Sequence, residues 1–232
     1  YGVDGEFTGL LFWEPDELTS IVGEAHAQGW QIGIHAQGDR AIGAVLDAYV
    51  TAMKDDPRPD PRDRSEHCGS PTPAQLRRMS KLGVIAVNQP NYLVDSGDEF
   101  LSRLGARADW LQPMRAEVAA GVRFALSSDS DVTSFRPLDT IAAAMQRTTL
   151  RGQMIGADQV LTVEEAVRAH TIDAAFSIRA DDRLGSIEPG KYADLTVVDG
   201  PLFEATPDEI REFDIWMTVL DGKVVYSSAG VT

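Results

Sequence analysis

The sequence predicts an α/β chain built on parallel strands, and three observations carry that prediction. Short apolar runs alternate with stretches of helical spacing from residue 30 to residue 127. Three of the strand-like runs end in metal-binding residue types, at His35, His67 and Asp129. A separate hairpin signal, Asp221-Gly222 between two apolar runs, closes the chain. Strand–helix alternation implies parallel strands joined by right-handed crossovers. The four such units are half the number needed for an eight-unit barrel. In a closed sheet, parallel strands aim their C-terminal ends at one mouth, so His35, His67 and Asp129 form one proposed site.

Residues 1–12 are rich in glycine and read as loop with a short extended piece. Residues 15–28 carry Leu18, Ile21, Val22 and Ala25 at helical spacing, with Gly29 as the stop. Pro15 suits the first helical position, where its missing N–H costs nothing. Residues 30–35 form a strand, 41–53 a helix, and 55–62 a loop rich in Pro and Asp. A short, more polar strand covers 63–67, a helix 73–82 ends at Gly83, and a strand covers 84–88. A long polar connection with one short helix spans 92–108. A helix over 110–120 stops at Gly121, and a strand covers 122–127. Beyond Asp129 the pattern changes to helices over 138–148 and 163–175, the second opened by a Thr162/Glu165 capping box. The tail turns to strands over 193–198, 215–220 and 223–226. Asp-Gly between the last two is the strongest short hairpin signal.

Composition bounds the function. A chain of 232 residues with 43% hydrophobic residues can bury the core of one large domain. A net charge of −15 argues against a nucleic-acid or anionic-membrane partner, both of which need clustered Lys and Arg. No apolar stretch is long enough to span a bilayer. A single cysteine, Cys68, allows no intrachain disulfide, fits a reducing compartment and leads to the expectation of a cytoplasmic protein. The first residue, Tyr1, is not methionine and opens no signal-peptide pattern.

The imidazoles of His35 and His67 can each bind Zn²⁺ through a neutral nitrogen. Singly, each is more simply read as a hydrogen-bonded histidine at a strand end; as a pair on adjacent strands, with Asp129 on a later one, they read as a metal site. A carboxylate beside a metal can bind the ion and move protons, because a bound water's pKa falls to about 7. For Asp129 the plainer alternative is an Asx-turn, which Asp131 fits better. His26 and His170 read as structural, and Cys68 as a buried inert thiol. Arg147 could reach an anionic substrate group, but by default it reads as a helix-surface ion-pair partner. Residues 185–191 match most of a phosphate-binding loop, but Tyr192 replaces the Ser or Thr and a strand follows where a helix should begin.

In that order, His35-Ala36-Gln37-Gly38-Asp39-Arg40-Ala41, Ser65-Glu66-His67, Asn88-Gln89-Pro90, Ser128-Asp129-Ser130-Asp131-Val132 and Gly185-Ser186-Ile187-Glu188-Pro189-Gly190-Lys191-Tyr192-Ala193-Asp194-Leu195 resemble the metal-dependent amidohydrolase superfamily. The closest likeness is to its amidohydrolase family 3 branch, which includes N-substituted formamide deformylases and YtcJ-like proteins. The resemblance implies the C-terminal half of a distorted (β/α)₈ TIM barrel over residues 1–184, and part of a small β-sandwich over 185–232. It implies one or two divalent ions, usually Zn²⁺, with His35 the strand-five ligand, His67 the strand-six ligand, and Asp129 the strand-eight ligand and general base. The family's His-x-His pair and its fourth-strand bridging residue are not in this sequence. The implied partner is therefore the N-terminal half of the same protein, besides a small-molecule substrate. A homo-oligomer stays open. Where many family members carry a histidine shortly after the proline, this chain has Asn91-Tyr92.

The leading expectation is a hydrolase that cleaves a C–N bond in an amide, formamide or related group. Deamination of a nucleobase-like ring uses the same logic. A non-catalytic binding protein that keeps the barrel shell is the third reading, because three ligands without the His-x-His pair make a poor zinc site.

Overall fold

The computed structural model describes residues 9–229, so most of the loop expected at residues 1–12 lies outside the described residues. Helix α1 (Pro15–Ala27) leads into strand β1 (Gly33–His35), and helix α2 (Asp39–Asp55) carries the chain to β2 (Arg64–Glu66). Helix α3 (Pro73–Leu82) connects to β3 (Ile85–Asn88). Helices α4 (Asn91–Asp95) and α5 (Gly97–Leu104), a 3₁₀ turn (Gly105–Trp110) and α6 (Met114–Ala120) lead to β4 (Phe124–Leu126). The four strands pair in sequence order and all in parallel. Each crossover passes a helix, as the alternation predicts, and β1 and β4 are both sheet edges.

The local reasons are legible residue by residue. Pro15 and Pro73 open their helices at the first turn. Thr72 and Gln75 cap α3 reciprocally, and Gly83 ends it in the left-handed conformation at φ 69°. Helix α2 buries Ile42, Val45, Leu46 and Tyr49 against the sheet. The fully buried Tyr49 keeps its hydroxyl satisfied by donating to the Arg64 carbonyl at 2.8 Å, which ties α2 to β2. The core continues through Leu76, Met79, Met114 and the alanine-rich face of α7 (Pro137–Gln146), which packs closely because its side chains are small.

The long connection of residues 92–108 holds more structure than its polar composition suggests. It folds into α4, α5 and the 3₁₀ turn around a second small core of Leu93, Ala108 and Ile155. The helix expected over residues 163–175 is two helices, α8 (Val163–His170) and α9 (Ile172–Ser177), broken at Thr171 with φ −122° and ψ −93°.

The tail forms a three-stranded antiparallel sheet of β5 (Leu195–Val198), β6 (Ile215–Leu220) and β7 (Lys223–Ser227), with the hairpin turning at Asp221-Gly222. Between β5 and β6 lies an element the pattern did not suggest, helix α10 (Pro207–Glu212), capped by Thr206 and Glu209. Its Ile210 belongs to the main core, and Arg136 donates to the Arg211 carbonyl at 2.8 Å. The tail is thereby fastened to α7.

Gly185 marks the passage to the tail. Its φ is +87°, and an added Cβ would lie 2.7 Å from Ile172 Cα and 2.9 Å from the Thr171 carbonyl oxygen. Gly185→Ala therefore forces both a disfavoured backbone conformation and a backbone clash. It is expected to cost about 2–4 kcal/mol, read as a lower denaturant midpoint at unchanged slope.

Candidate metal centre

The C-terminal ends of the strands carry the site. His35 is the last residue of β1 and His67 follows the last residue of β2, which pairs with it in register through His35 and Glu66. Adjacent parallel strands lie about 4.8 Å apart, and the two rings stand at 4.5 Å between centroids, edge to face. His67 is 8% exposed, while His35 and Asp129 are open to solvent. His67 and Asp129 both adopt left-handed backbone, at φ 72° and 51°. That conformation is uncommon for residues with a Cβ and concentrates where function requires it.

A buried amide network sets the orientation of His67. Gln89, 2% exposed, donates its Nε2 to Ser127 Oγ at 2.8 Å and to the Val87 carbonyl at 3.2 Å. Its Oε1 therefore faces His67 Nδ1 at 2.9 Å as an acceptor. Nδ1 is therefore the nitrogen that carries a proton, which in the neutral imidazole places the lone pair on Nε2. This is how a neighbour fixes the tautomer of a metal-binding histidine. Gln112 holds Gln89 in turn: its Oε1 accepts from the Gln89 N–H at 2.8 Å, and its Nε2 donates to the Gln89 carbonyl at 3.1 Å.

Tyr92 links the third predicted residue to the other two. Its ring stacks on His67 at 6.0 Å, and its hydroxyl donates to Asp129 Oδ2. Burial, and then the Asp129 carboxylate, hold the phenol well above its ordinary pKa, so it is a donor at neutral pH. Burial lowers the pKa of His35, the neighbouring His67 lowers it further, and Asp129 partly offsets both. A neutral His35 keeps a lone pair to give.

The donor types suit a borderline divalent ion such as zinc, and the His67 tautomer is the one such binding needs. The set is incomplete. Among the described residues, no three His, Cys, Asp or Glu side chains are arranged to hold a metal ion. His35 and His67 sit on neighbouring strands. Asp129 follows β4 at the other edge of the sheet, where it bonds the Tyr92 hydroxyl and acts on His35 through its charge.

The remaining sequence-based expectations divide. Cys68 is fully buried with its thiol pushed well above the ordinary value by burial, and is inert as expected. His26 is buried and bonded to the Asp56 carbonyl at 2.7 Å, a packing role. Arg147 requires a correction. It is no surface ion-pair partner but is 0% exposed, its guanidinium donating to the carbonyls of Leu111, Gln112 and Ile155 at 2.7, 2.9 and 2.8 Å. Gln89, Tyr92 and Gln112 were not singled out as site residues. Gln89 could have been, because it follows the end of an apolar strand, as Asp129 does.

Among the described residues, no helix is long and apolar enough to cross a membrane. The chain is 32% identical over 224 residues to N-substituted formamide deformylase of Arthrobacter pascens, a match covering 96% of this chain and 41% of that protein. It is 25% identical over 233 residues to YtcJ of Bacillus subtilis (strain 168), covering 99% of this chain and 44% of YtcJ. An uncharacterized metal-dependent hydrolase from Pyrococcus horikoshii OT3 superimposes with a TM-score of 0.75 at 26% identity, over 88% of this chain and 41% of that structure. The chain thus spans about two-fifths of the length of these relatives. Parallel strands that bring two histidines side by side at one mouth are joined by a match of residues 3–226 to the amidohydrolase family model, and the chain belongs to the amidohydrolase family.

Proposed function

We propose that the full-length protein hydrolyses a C–N bond of an amide or N-substituted formamide, with His35 and His67 as metal ligands and Asp129 as ligand and general base. The observation that carries this reading is the 4.5 Å approach of the two imidazoles, one of them with its tautomer fixed by Gln89. The likeness to N-substituted formamide deformylase supports the substrate class. When bound, a divalent ion would supply electrophilic polarisation of the carbonyl and a more acidic water.

The chain's own residues account for the proton movements. Asp129 takes a proton from the attacking water and returns it to the leaving nitrogen. Tyr92 donates to Oδ2, which keeps a second lone pair for a metal and leaves Oδ1 as the oxygen that moves the proton. His67 keeps its Nδ1 proton on Gln89 throughout, so it binds and does not shuttle.

The rest of the barrel is proposed to come from the same protein. Among the described residues β1 and β4 each pair with one strand only, and unpaired edges of a parallel sheet are usually covered in stable folds. A groove of about 620 Å³ along β1 is lined by Leu10, Phe12, Trp13, Ile21, Ile34 and His35. Further chain there would cover apolar surface and bring the remaining ligands to His35.

The test is elemental analysis of the purified full-length protein, paired with product analysis on N-substituted formamides. One or two equivalents of zinc per chain are expected, with release of formate and amine that stops on chelation. A metal-free protein that turns over normally would overturn the reading, and ammonia release from a nucleobase-like ring with no formate from N-substituted formamides would replace it with deamination.

A further inference from the structure

Behind the site, on the far side of β3, lies a carboxyl group that the proposed reaction does not use. Glu117 of α6 is 0% exposed, as is its neighbour Asn88, the last residue of β3. Asn88 Nδ2 donates to Glu117 Oε2 at 2.7 Å. The other oxygen of each side chain, Asn88 Oδ1 and Glu117 Oε1, is buried without a hydrogen-bond partner. Two orphaned acceptors on one bonded pair are costly, because each forfeits its hydration. A single proton on Glu117 Oε1 would turn one of the two orphaned acceptors into a donor, which the amide oxygen of the bonded Asn88 could accept.

We propose that Glu117 is a positioning residue held as the neutral acid, clasped to Asn88 in an acid–amide pair that fixes the end of β3 from which Gln89 orients His67. Asn88 and Gln89 are consecutive, and successive side chains at a strand point to opposite faces. The clasp therefore anchors the backbone from the helix side while Gln89 works on the mouth side. Gln112 secures the same backbone at Gln89. This role rests on His67 being a site residue.

Burial independently favours the neutral form, raising the Glu117 pKa to about 8 against the smaller pull of Asn88 and of the Arg147 charge. The Cys68 thiol is the other titratable group that feels Glu117, and burial holds it protonated.

The sign of the linkage follows. The folded-state value lies above the unfolded one, so the unfolded chain releases a proton that the native state keeps. This contribution is greatest below the unfolded value of about 4.5 and is lost as pH rises towards about 8. Within that window the folding constant falls by up to about tenfold per pH unit from this group alone.

Three variants of the full-length protein test the proposal. Glu117→Gln keeps a donor for Asn88 Oδ1 and an acceptor for Nδ2 but cannot ionise; Glu117→Leu and Asn88→Ala remove the clasp. Wild type is expected to show an un-ionised carboxyl stretch in the infrared and a pH-dependent fall in stability, and Glu117→Gln is expected to lack both. Nitrogen NMR of the metal-free protein is expected to report a single Nδ1–H tautomer for His67 in wild type and Glu117→Gln, and a mixture in Asn88→Ala or Glu117→Leu. Zinc affinity is expected to drop roughly tenfold in the unclasped variants. If Glu117→Leu does not fold, Asn88→Ala carries the test. An ionised Glu117, or a His67 tautomer indifferent to loss of the clasp, would overturn the proposal. A protein in which His67 binds no metal, yet whose tautomer still responds, would sink the functional reading and leave the clasp standing.

Discussion

Asp129→Asn in the full-length protein is expected to lower kcat by about 10²–10⁴-fold and to leave at least part of the metal bound. Asparagine has nearly the shape of aspartate and keeps an oxygen that can accept the Tyr92 hydroxyl, so the link between Tyr92 and residue 129 survives. What it loses is the ability to take a proton from water and return it to nitrogen. It also loses the negative charge that His35 feels from Asp129, so the His35 pKa is expected to fall further below its ordinary value, not to rise. Kinetics and metal content measured on one preparation separate the outcomes. Loss of turnover with metal retained supports a proton-transfer role; loss of both makes Asp129 chiefly a ligand; normal turnover removes it from the reaction. The left-handed backbone at Asp129, φ 51°, is one that asparagine tolerates as well as aspartate does, which keeps the comparison clean.

Much of this arrangement was legible in the sequence because strand ends are where apolar patterning and functional chemistry meet. His35 ends β1 and His67 directly follows β2, the two strands are parallel neighbours, and the pairing puts their rings together without further information. The strands were shorter than their apolar runs, as at Gly33–His35 within residues 30–35, because an apolar run can continue past the ladder into packed loop. Helix α10 was missed although Thr206 and Glu209 make the same capping box that was recognised at Thr162 and Glu165. Its single turn and a half offers too few positions for helical periodicity to register. The buried network was least legible. Gln89, Gln112, Glu117 and Arg147 are polar residues, and polarity in a sequence argues for surface unless the partner that satisfies each group is known. Several of those partners lie 23, 29 or 35 residues away along the chain, and only the fold brings these together.

Arg147 is the sharpest instance, and its loss should be the most damaging to stability. Arg147→Met is expected to cost about 3–5 kcal/mol, read from denaturant unfolding of the full-length protein. The guanidinium is fully buried and makes three hydrogen bonds to carbonyls of two separate loops. Burial lowers its pKa to about 10, with the carboxylates of Asp158 and Asp109 offsetting part of that fall, so it remains charged at neutral pH. Methionine fills much of the volume but leaves the carbonyls of Leu111, Gln112 and Ile155 without their donor. Lysine is expected to rescue little, because a compact ammonium cannot span three carbonyls that a planar fork reaches together. The damage should also reach the metal centre. Arg147 holds the Gln112 carbonyl, Gln112 grips the Gln89 backbone from both sides, and Gln89 holds the Nδ1 proton of His67. Arg147→Met is therefore expected to lower zinc affinity even where the protein is still folded. Equal stability in the two proteins would mean that the three carbonyls find water instead. Lost stability with unchanged zinc affinity would show that the chain of contacts from Arg147 ends at Gln112.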